Sequence, residues 1–131
     1  MSSKPQILVA EDDFDDRYIM IETFREIGFD HLKIVEDGSL VIDYLKDCGS
    51  EFIKLIVLDL NMPKLGGTGT LRKLKEDLEF KNIPVIIFST SINEIERDIC
   101  MNLGANDYIM KPHMHQEYVE TCKRFHEFTF R

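Results

Sequence analysis

Residues 56–67 read IVLDLNMPKLGG and contain an aspartate where an apolar segment ends. Residues 55–58, LIVL, form a short β-type run that is typical of a strand buried on both faces of a parallel sheet. Residues that favour turns follow and predict a loop, namely Asn61, Pro63, Gly66 and Gly67. The sequence therefore places the carboxylate of Asp59 at the carboxyl end of a buried strand.

Similar short apolar runs alternate with longer amphipathic stretches along the rest of the chain. The predicted strands are residues 6–10, 31–36, 54–59, 83–89 and 106–111. Strands that alternate with helices imply a parallel sheet with right-handed crossovers and helices on both faces. The predicted fold class is α/β, a (βα)5 doubly wound five-stranded sheet, and we expect one domain over residues 1–131.

Apolar residues at three- and four-residue spacing predict the five helices. In chain order, the predicted buried stripes are Phe14, Tyr18, Ile21, Phe24 and Ile27; Leu40, Val41, Tyr44, Leu45 and Cys48; Leu71, Leu74 and Leu78; Ile95, Ile99 and Leu103; and Tyr118, Cys122 and Phe125. The third helix is predicted to begin near Gly67. The fourth is predicted to begin at a capping box of Ser91 and Glu94 and to end at Gly104.

Composition excludes several classes of function. The formal net charge of −8, from 16 basic and 24 acidic residues, disfavours nonspecific binding to nucleic acid or anionic lipid. No stretch approaches the ~18–20 apolar residues of a membrane span, and the first residues lack an apolar signal core. The cysteines Cys48, Cys100 and Cys122 have no CxxC spacing, which favours a reducing compartment. We therefore expect a cytoplasmic protein in which Cys48 and Cys100 are small buried thiols.

Polar residues follow the predicted strands at one edge of the sheet. They are Glu11 and Asp12 after the first strand, Asp59 after the third, Ser89 and Thr90 after the fourth, and Lys111 after the fifth. Ligands of such sheets bind beyond the carboxyl ends of the strands. Three clustered carboxylates repel one another unless a cation joins them. The candidate cations are Lys111 and a hard divalent ion such as Mg2+, so the pattern predicts a magnesium-dependent phosphoryl site.

Four segments carry a resemblance to a known family: ILVAEDD (7–13), LIVLDLNMPKLGG (55–67), IPVIIFSTS (83–91) and LGANDYIMKP (103–112). In this order and spacing the chain resembles the receiver domain of bacterial two-component response regulators, of the chemotaxis-regulator type. The resemblance implies the flavodoxin-like strand order 2-1-3-4-5 and a stand-alone regulator with no output domain. The segment 83–91 is also similar to regulators that partner bacterial phytochrome kinases.

The resemblance also implies a role for each residue of the site. Asp59 would be the phosphoacceptor, and Lys111, before a proline that is often cis in this family, would pair with the phosphoryl group. The Mg2+ site would consist of Asp12 as a direct ligand, Asp59, Glu11 through water, and Asn61 through its backbone carbonyl. Two further residues would form the conformational switch that responds to phosphorylation. They are Ser89, whose hydroxyl bonds the phosphoryl group, and the aromatic residue Tyr108.

The implied function is that of a signalling phosphoacceptor, which catalyses only its own phosphorylation and dephosphorylation. The donor would be a sensor histidine kinase or a histidine phosphotransfer protein. The fourth helix, fifth strand and fifth helix would form the output face for a downstream protein or for a homodimer. The C-terminal Phe125, Phe128 and Phe130 are compatible with either core packing or a docking surface.

Rival classes make different demands on the same residues. A haloacid dehalogenase-type phosphatase needs a second aspartate at position 61, which is Asn61 here. A flavodoxin-like electron carrier needs a hydroxyl- and glycine-rich phosphate loop where this chain has EDDFDD (11–16). The alternative that stays open is a degenerate receiver that binds partners without phosphorylation.

Overall fold

Five parallel strands form one sheet in the order β2-β1-β3-β4-β5 in the computed structural model, which describes residues 4–62 and 65–130. The strands are β1 (Ile7–Ala10), β2 (Leu32–Val35), β3 (Leu55–Leu58), β4 (Val85–Ser89) and β5 (Asp107–Met110). The helices are α1 (Phe14–Glu26), α2 (Gly38–Cys48), α3 (Gly67–Glu76), α4 (Glu94–Leu103) and α5 (His115–Glu127), and a 3-10 turn covers Phe128–Phe130. The predicted class and strand order are confirmed. Pro63, part of the predicted loop, lies outside the described residues.

The register of the central strands brings the predicted site residues to one level. Ala10 pairs with Val35 on one side and with Leu58 on the other. The ladder continues one residue further, because the Glu11 amide donates to Val35 O at 2.9 Å and the Asp59 amide donates to Ala10 O at 3.1 Å. Glu11 and Asp59 therefore leave the sheet side by side.

The core consists of two apolar layers, one on each face of the sheet. Leu8 and Ile56 pack with Leu71 of α3 on one face, whereas Val9 packs with Phe24 of α1 and Phe125 of α5 on the other. All side chains of β1 and β3 are buried. Burial on both faces explains why these strands appear in the sequence as continuous apolar runs.

Four of the five predicted helix stripes, those of α1 to α4, are wrong in part. In α1, Phe14 is 70% exposed and Tyr18 59% exposed, while Met20, Thr23 and Phe24 are buried. Thr23 can be buried because its hydroxyl donates to Ile19 O at 2.7 Å. In α4, the predicted residues Ile95 and Ile99 are exposed and Cys100 is the buried one.

Several predicted helix ends and buried positions also differ. Asn93, not Ser91, caps α4, because its side chain accepts from the Glu96 amide at 3.1 Å. Leu78 lies beyond the end of α3 and is 83% exposed. In α2, Leu40 and Cys48 are exposed, so their predicted burial is wrong, whereas Cys100 of α4 is buried as predicted.

The predicted stripe of α5 is confirmed, since Tyr118, Cys122 and Phe125 are buried. Phe125 belongs to the core and meets Phe88 edge to face at 5.4 Å between ring centroids. Phe130 is 77% exposed, so the C-terminal phenylalanines do not share one environment. Among the described residues, no helix combines the length and apolarity that crossing a bilayer requires.

Candidate functional site

Three carboxylates meet at the carboxyl edge of the sheet. Ligand oxygens of Glu11, Asp12 and Asp59 all lie within 4.8 Å of one another. Glu11 and Asp59 are buried, whereas Asp12 is exposed at the rim. The adjacent carboxyl ends of β1 and β3 produce this arrangement, as the sequence predicts.

Lys111 brings positive charge to the carboxylates from the end of β5. Its ammonium lies 2.6 Å from Glu11 Oε1, 2.8 Å from Asp16 Oδ2 and 3.2 Å from Asp59 Oδ2. Lys111 is only 5% exposed, and its amide donates to Ser89 O at 2.6 Å. No peptide bond in residues 4–62 or 65–130 is cis, so the cis bond suggested before Pro112 is absent.

Asp16 is a member of the site that the sequence reasoning did not single out. It lies in the first turn of α1, where Asp13 caps the helix by accepting from the Asp16 amide at 2.9 Å. Asp16 belongs to the acidic run EDDFDD (11–16), but only the first two residues of this run lie directly at the end of a strand. The rotation of α1 decides which later acid faces Lys111.

The buried charges shift the pKa of two groups strongly. Burial raises the pKa of Glu11 to about 8, and the hydrogen bond to Asp59 and its charge act in the same direction, while Lys111 opposes them. Burial by itself lowers the pKa of Lys111, but hydrogen bonds to Asp16 and Glu11 and the nearby charges outweigh it. The pKa of Lys111 therefore rises above its ordinary value. The carboxyl group of Glu11 keeps a raised pKa although it contacts the Lys111 ammonium, because Asp16 and Asp59 share that ammonium.

The loop after β3 supports Asp59 from below. The Asn61 amide donates to Asp59 Oδ1 at 3.1 Å, which fixes one carboxylate oxygen. The loop returns at Gly67, where an added Cβ would lie 2.4 Å from the carbonyl oxygen of Asp59. Only glycine allows this close approach of two backbone segments.

The predicted switch residues lie on the neighbouring strands. Ser89 is 2% exposed at the end of β4, and Thr90 beside it is exposed. Tyr108 of β5 is 6% exposed, and its hydroxyl donates to Ser91 O at 3.2 Å. This hydrogen bond connects β5 to the loop between β4 and α4.

The donor set fits a hard divalent cation. Carboxylate oxygens are the ligands that Mg2+ and Mn2+ prefer, and a dication would offset the repulsion among Glu11, Asp12 and Asp59. A metal-binding role for the Asn61 carbonyl stays a prediction.

Comparisons with known proteins show which proteins this chain resembles. The two-component response regulator ARR15 of Arabidopsis thaliana is 36% identical over 121 residues, which cover 85% of this chain and 58% of that protein. The phosphorylated cyanobacterial phytochrome response regulator RcpA is 30% identical, with a TM-score of 0.84 over 98% of this chain and 95% of RcpA. The Mn2+-bound response regulator Rcp1 is 27% identical, with a TM-score of 0.78 over 95% and 93%.

A family model ties these likenesses to the site. The response regulator receiver domain matches residues 7–123, a range that contains the whole acidic edge, Lys111, Ser89 and Tyr108. Receiver domains are signalling phosphoacceptors that work with histidine kinases or phosphotransfer proteins and bind Mg2+ or Mn2+ at an acidic pocket. With its doubly wound sheet and its carboxylates gathered beside a buried lysine, the chain belongs to the response regulator receiver domain family.

Proposed function

We propose that the chain accepts a phosphoryl group on Asp59 and uses it to change the surface formed by α4, β5 and α5. The observation that carries the proposal is the environment of Asp59, whose buried carboxylate contacts the Lys111 ammonium and shares an edge with Glu11 and Asp12. RcpA, the solved neighbour described above, is itself phosphorylated.

The two oxygens of Asp59 have different partners before reaction. Asn61 holds Oδ1 and Lys111 holds Oδ2. In the proposed step a carboxylate oxygen attacks the phosphorus of a phosphohistidine in line, and a P–O bond replaces the P–N bond. The bonding pair leaves with the imidazole nitrogen of the donor, which takes up a proton.

Charge stabilisation is the main requirement of this reaction. Asp12 and Asp59, with Glu11 through water and the Asn61 carbonyl, would hold Mg2+, which supplies positive charge to the phosphoryl oxygens when bound. Lys111 supplies the remaining charge, because its ammonium can transfer a hydrogen bond from Asp59 Oδ2 to a phosphoryl oxygen. No general acid or base is needed in the site itself.

The phosphoryl group would act on the rest of the molecule through Ser89. A hydrogen bond from the Ser89 hydroxyl would move the loop between β4 and α4, and the Tyr108–Ser91 bond connects that loop to β5. We propose the α4–β5–α5 face as the surface for a downstream protein or a second copy. The exposed apolar side chains of Ile95, Ile99 and Met110, and of Met114 just before α5, support this assignment.

Two broader features of the sequence-based prediction also belong to the proposal. Similarity to RcpA supports a kinase of the phytochrome type as the donor. All three cysteines are free, which supports the cytoplasmic location predicted from the sequence.

The test is phosphorylation with a small phosphodonor and Mg2+, followed by intact mass measurement. The unsubstituted protein should gain one phosphoryl group, and Asp59→Asn should gain none because it lacks the nucleophile but keeps the shape. Asp43→Asn, an exposed position on α2, is the matched control and should be modified normally. An unmodified parent protein would instead favour the degenerate receiver, and a modified Asp59→Asn would place the acceptor elsewhere.

A further inference from the structure

The strongest unexplained feature of the site is the third carboxylate on Lys111. Asp16 Oδ2 lies 2.8 Å from the Lys111 ammonium, closer than Asp59 Oδ2 at 3.2 Å. The ammonium has three N–H donors, and its three carboxyl neighbours come from the carboxyl ends of β1 and β3 and from α1. Asp59, the proposed nucleophile, is the most distant of the three.

The position of Asp16 is fixed by the start of α1. The Asp16 amide donates to the side chain of Asp13, the helix cap. The next residue, Arg17, donates through Nη1 to the carbonyl oxygens of Glu11 and Asp12, at 3.2 and 2.8 Å. The first turn of α1 is thereby bound to the loop that carries Glu11 and Asp12, the acid pair of the site. Asp16 meets Lys111 from a helix that is anchored to the site.

We propose that Asp16 is a positioning residue that holds the Lys111 ammonium on the α1 side of the site. The proposal rests on the function proposed above for Asp59. By engaging Lys111, Asp16 limits the ion pair between Lys111 and Asp59. An oxygen of Asp59 then stays available to a metal ion and to phosphorus, and Lys111 stays charged and close enough to meet the phosphoryl group.

Neutralising Asp16 should change the balance of these contacts. Without the charge of Asp16, Lys111 should pair more closely with Asp59 Oδ2. The tighter pair should compete with Mg2+ for the same carboxylate, and saturating Mg2+ should overcome the competition. Phosphorylation should therefore need more Mg2+ for half-maximal rate and retain nearly the same maximal rate.

The experiment compares three variants in the full chain. Asp16→Asn removes the charge and keeps the shape, while Asp16→Glu restores the charge on a longer side chain. Asp15→Asn removes the same charge from the same helical turn at an exposed position and controls for the general field. The initial rate of phosphorylation is measured against Mg2+ concentration for each protein.

A second measurement observes Lys111 directly and needs neither metal nor phosphodonor. The Nζ resonance of Lys111 is recorded by NMR, and the Lys111→Arg variant identifies it by its loss. In Asp16→Asn the resonance should shift and its protons should exchange faster with water. Asp15→Asn should leave the resonance unchanged, and Asp16→Glu should bring it back towards the parent position.

The expected result is a half-saturating Mg2+ concentration about fivefold higher in Asp16→Asn, with less than about twofold change in Asp15→Asn. An unchanged Lys111 resonance in Asp16→Asn would overturn the proposal, as would equal Mg2+ responses in Asp16→Asn and Asp15→Asn. If the parent protein accepts no phosphoryl group, the proposed function fails, and the Lys111 resonance still decides whether Asp16 positions the ammonium.

Discussion

At the scale of single residues, the site contains more negative charge than Lys111 can neutralise. The ammonium contacts Glu11, Asp16 and Asp59 within 3.2 Å, and Asp12 lies at the rim. Glu11 is only 1% exposed, whereas Asp12 beside it is exposed to water. Burial and the neighbouring Asp59 therefore make ionisation of Glu11 unfavourable in the folded protein.

This strain predicts a dependence of stability on pH. The pKa of Glu11 is about 8 in the folded protein, against an ordinary value of 4.5 that applies to the unfolded chain. Between these two pH values the native state holds a proton that the unfolded state has lost. The free energy of unfolding should fall as the pH rises from about 4.5 through about 8. Glu11→Gln cannot ionise, so it should lack this part of the fall, on the order of a few kcal/mol.

Urea unfolding at pH 5, 7 and 9, in the presence of a chelator, measures the difference. The informative quantity is the loss of unfolding free energy between pH 5 and pH 9 in each protein. Equal losses in the parent and in Glu11→Gln would show that Glu11 ionises as freely in the folded chain as in the unfolded one.

Most residues of the site could be predicted from the sequence, because strand ends have a fixed place in a parallel sheet. Glu11, Asp59 and Lys111 each follow an apolar run, so parallel strands bring all three to one edge of the sheet. Their contact also depends on the strand order, which the family resemblance implies, and on the reach of the Lys111 side chain across β4. Asp16 could not be predicted in this way, because its contact with Lys111 depends on how α1 rotates against the sheet. Apolar spacing indicated the wrong rotation, since it placed Phe14 and Tyr18 inside.

At the scale of secondary-structure elements, the sheet and α5 were predictable, whereas α1 and α4 were predictable only as helices. The runs of β1, β3 and β4 are short, apolar and buried on both faces, and their alternation with longer amphipathic stretches indicates strands. Helix α5 has a single apolar stripe. In α1 and α4, apolar side chains occur on the outer surface as well, so periodicity alone cannot select the buried set. The exposed residues Ile95 and Ile99 of α4 instead contribute to the proposed output face.

Ser89 should connect the phosphoryl group to that face without being needed for phosphorylation. In Ser89→Ala, Lys111 and the acid pair are intact, so Asp59 should still accept the phosphoryl group. What is lost is a hydrogen bond to a charged acceptor, ~1.5–3 kcal/mol, which shifts a two-state equilibrium by roughly ten- to a hundredfold. The β4–α4 loop and Tyr108 should then respond weakly.

Amide chemical shifts of α4, β5 and α5, recorded with and without a phosphoryl analogue, measure this coupling. Thr90→Ala changes the exposed neighbouring hydroxyl and should behave like the parent protein. A full parental shift around Tyr108 in Ser89→Ala would mean that the switch does not run through Ser89.

At the scale of the whole molecule, the acidic excess has one concentrated part. The chain has a formal net charge of −8, and the carboxylates of one sheet edge lie within 4.8 Å of one another while most other acids are dispersed over exposed surfaces. Dispersed charge affects solubility and is screened by salt. Repulsion within a close cluster of carboxylates instead destabilises the folded state until a cation binds there. Folding and cation binding should therefore be coupled in this protein.

The coupling predicts that Mg2+ raises the melting temperature by mass action. At ten times its dissociation constant, a ligand of the native state alone contributes about 1.4 kcal/mol, which corresponds to roughly 5 °C in a domain of this size. Sodium chloride at equal ionic strength controls for screening and should give a smaller rise.

Asp12→Ala removes a proposed ligand and one repelling charge together. Its stability without Mg2+ should equal or exceed that of the parent, because no side chain within residues 4–62 and 65–130 forms an ion pair with Asp12. Its response to Mg2+ should disappear. A parent protein that melts at the same temperature in millimolar Mg2+ would argue against the metal site, and a full response in Asp12→Ala would move that site away from the acid pair.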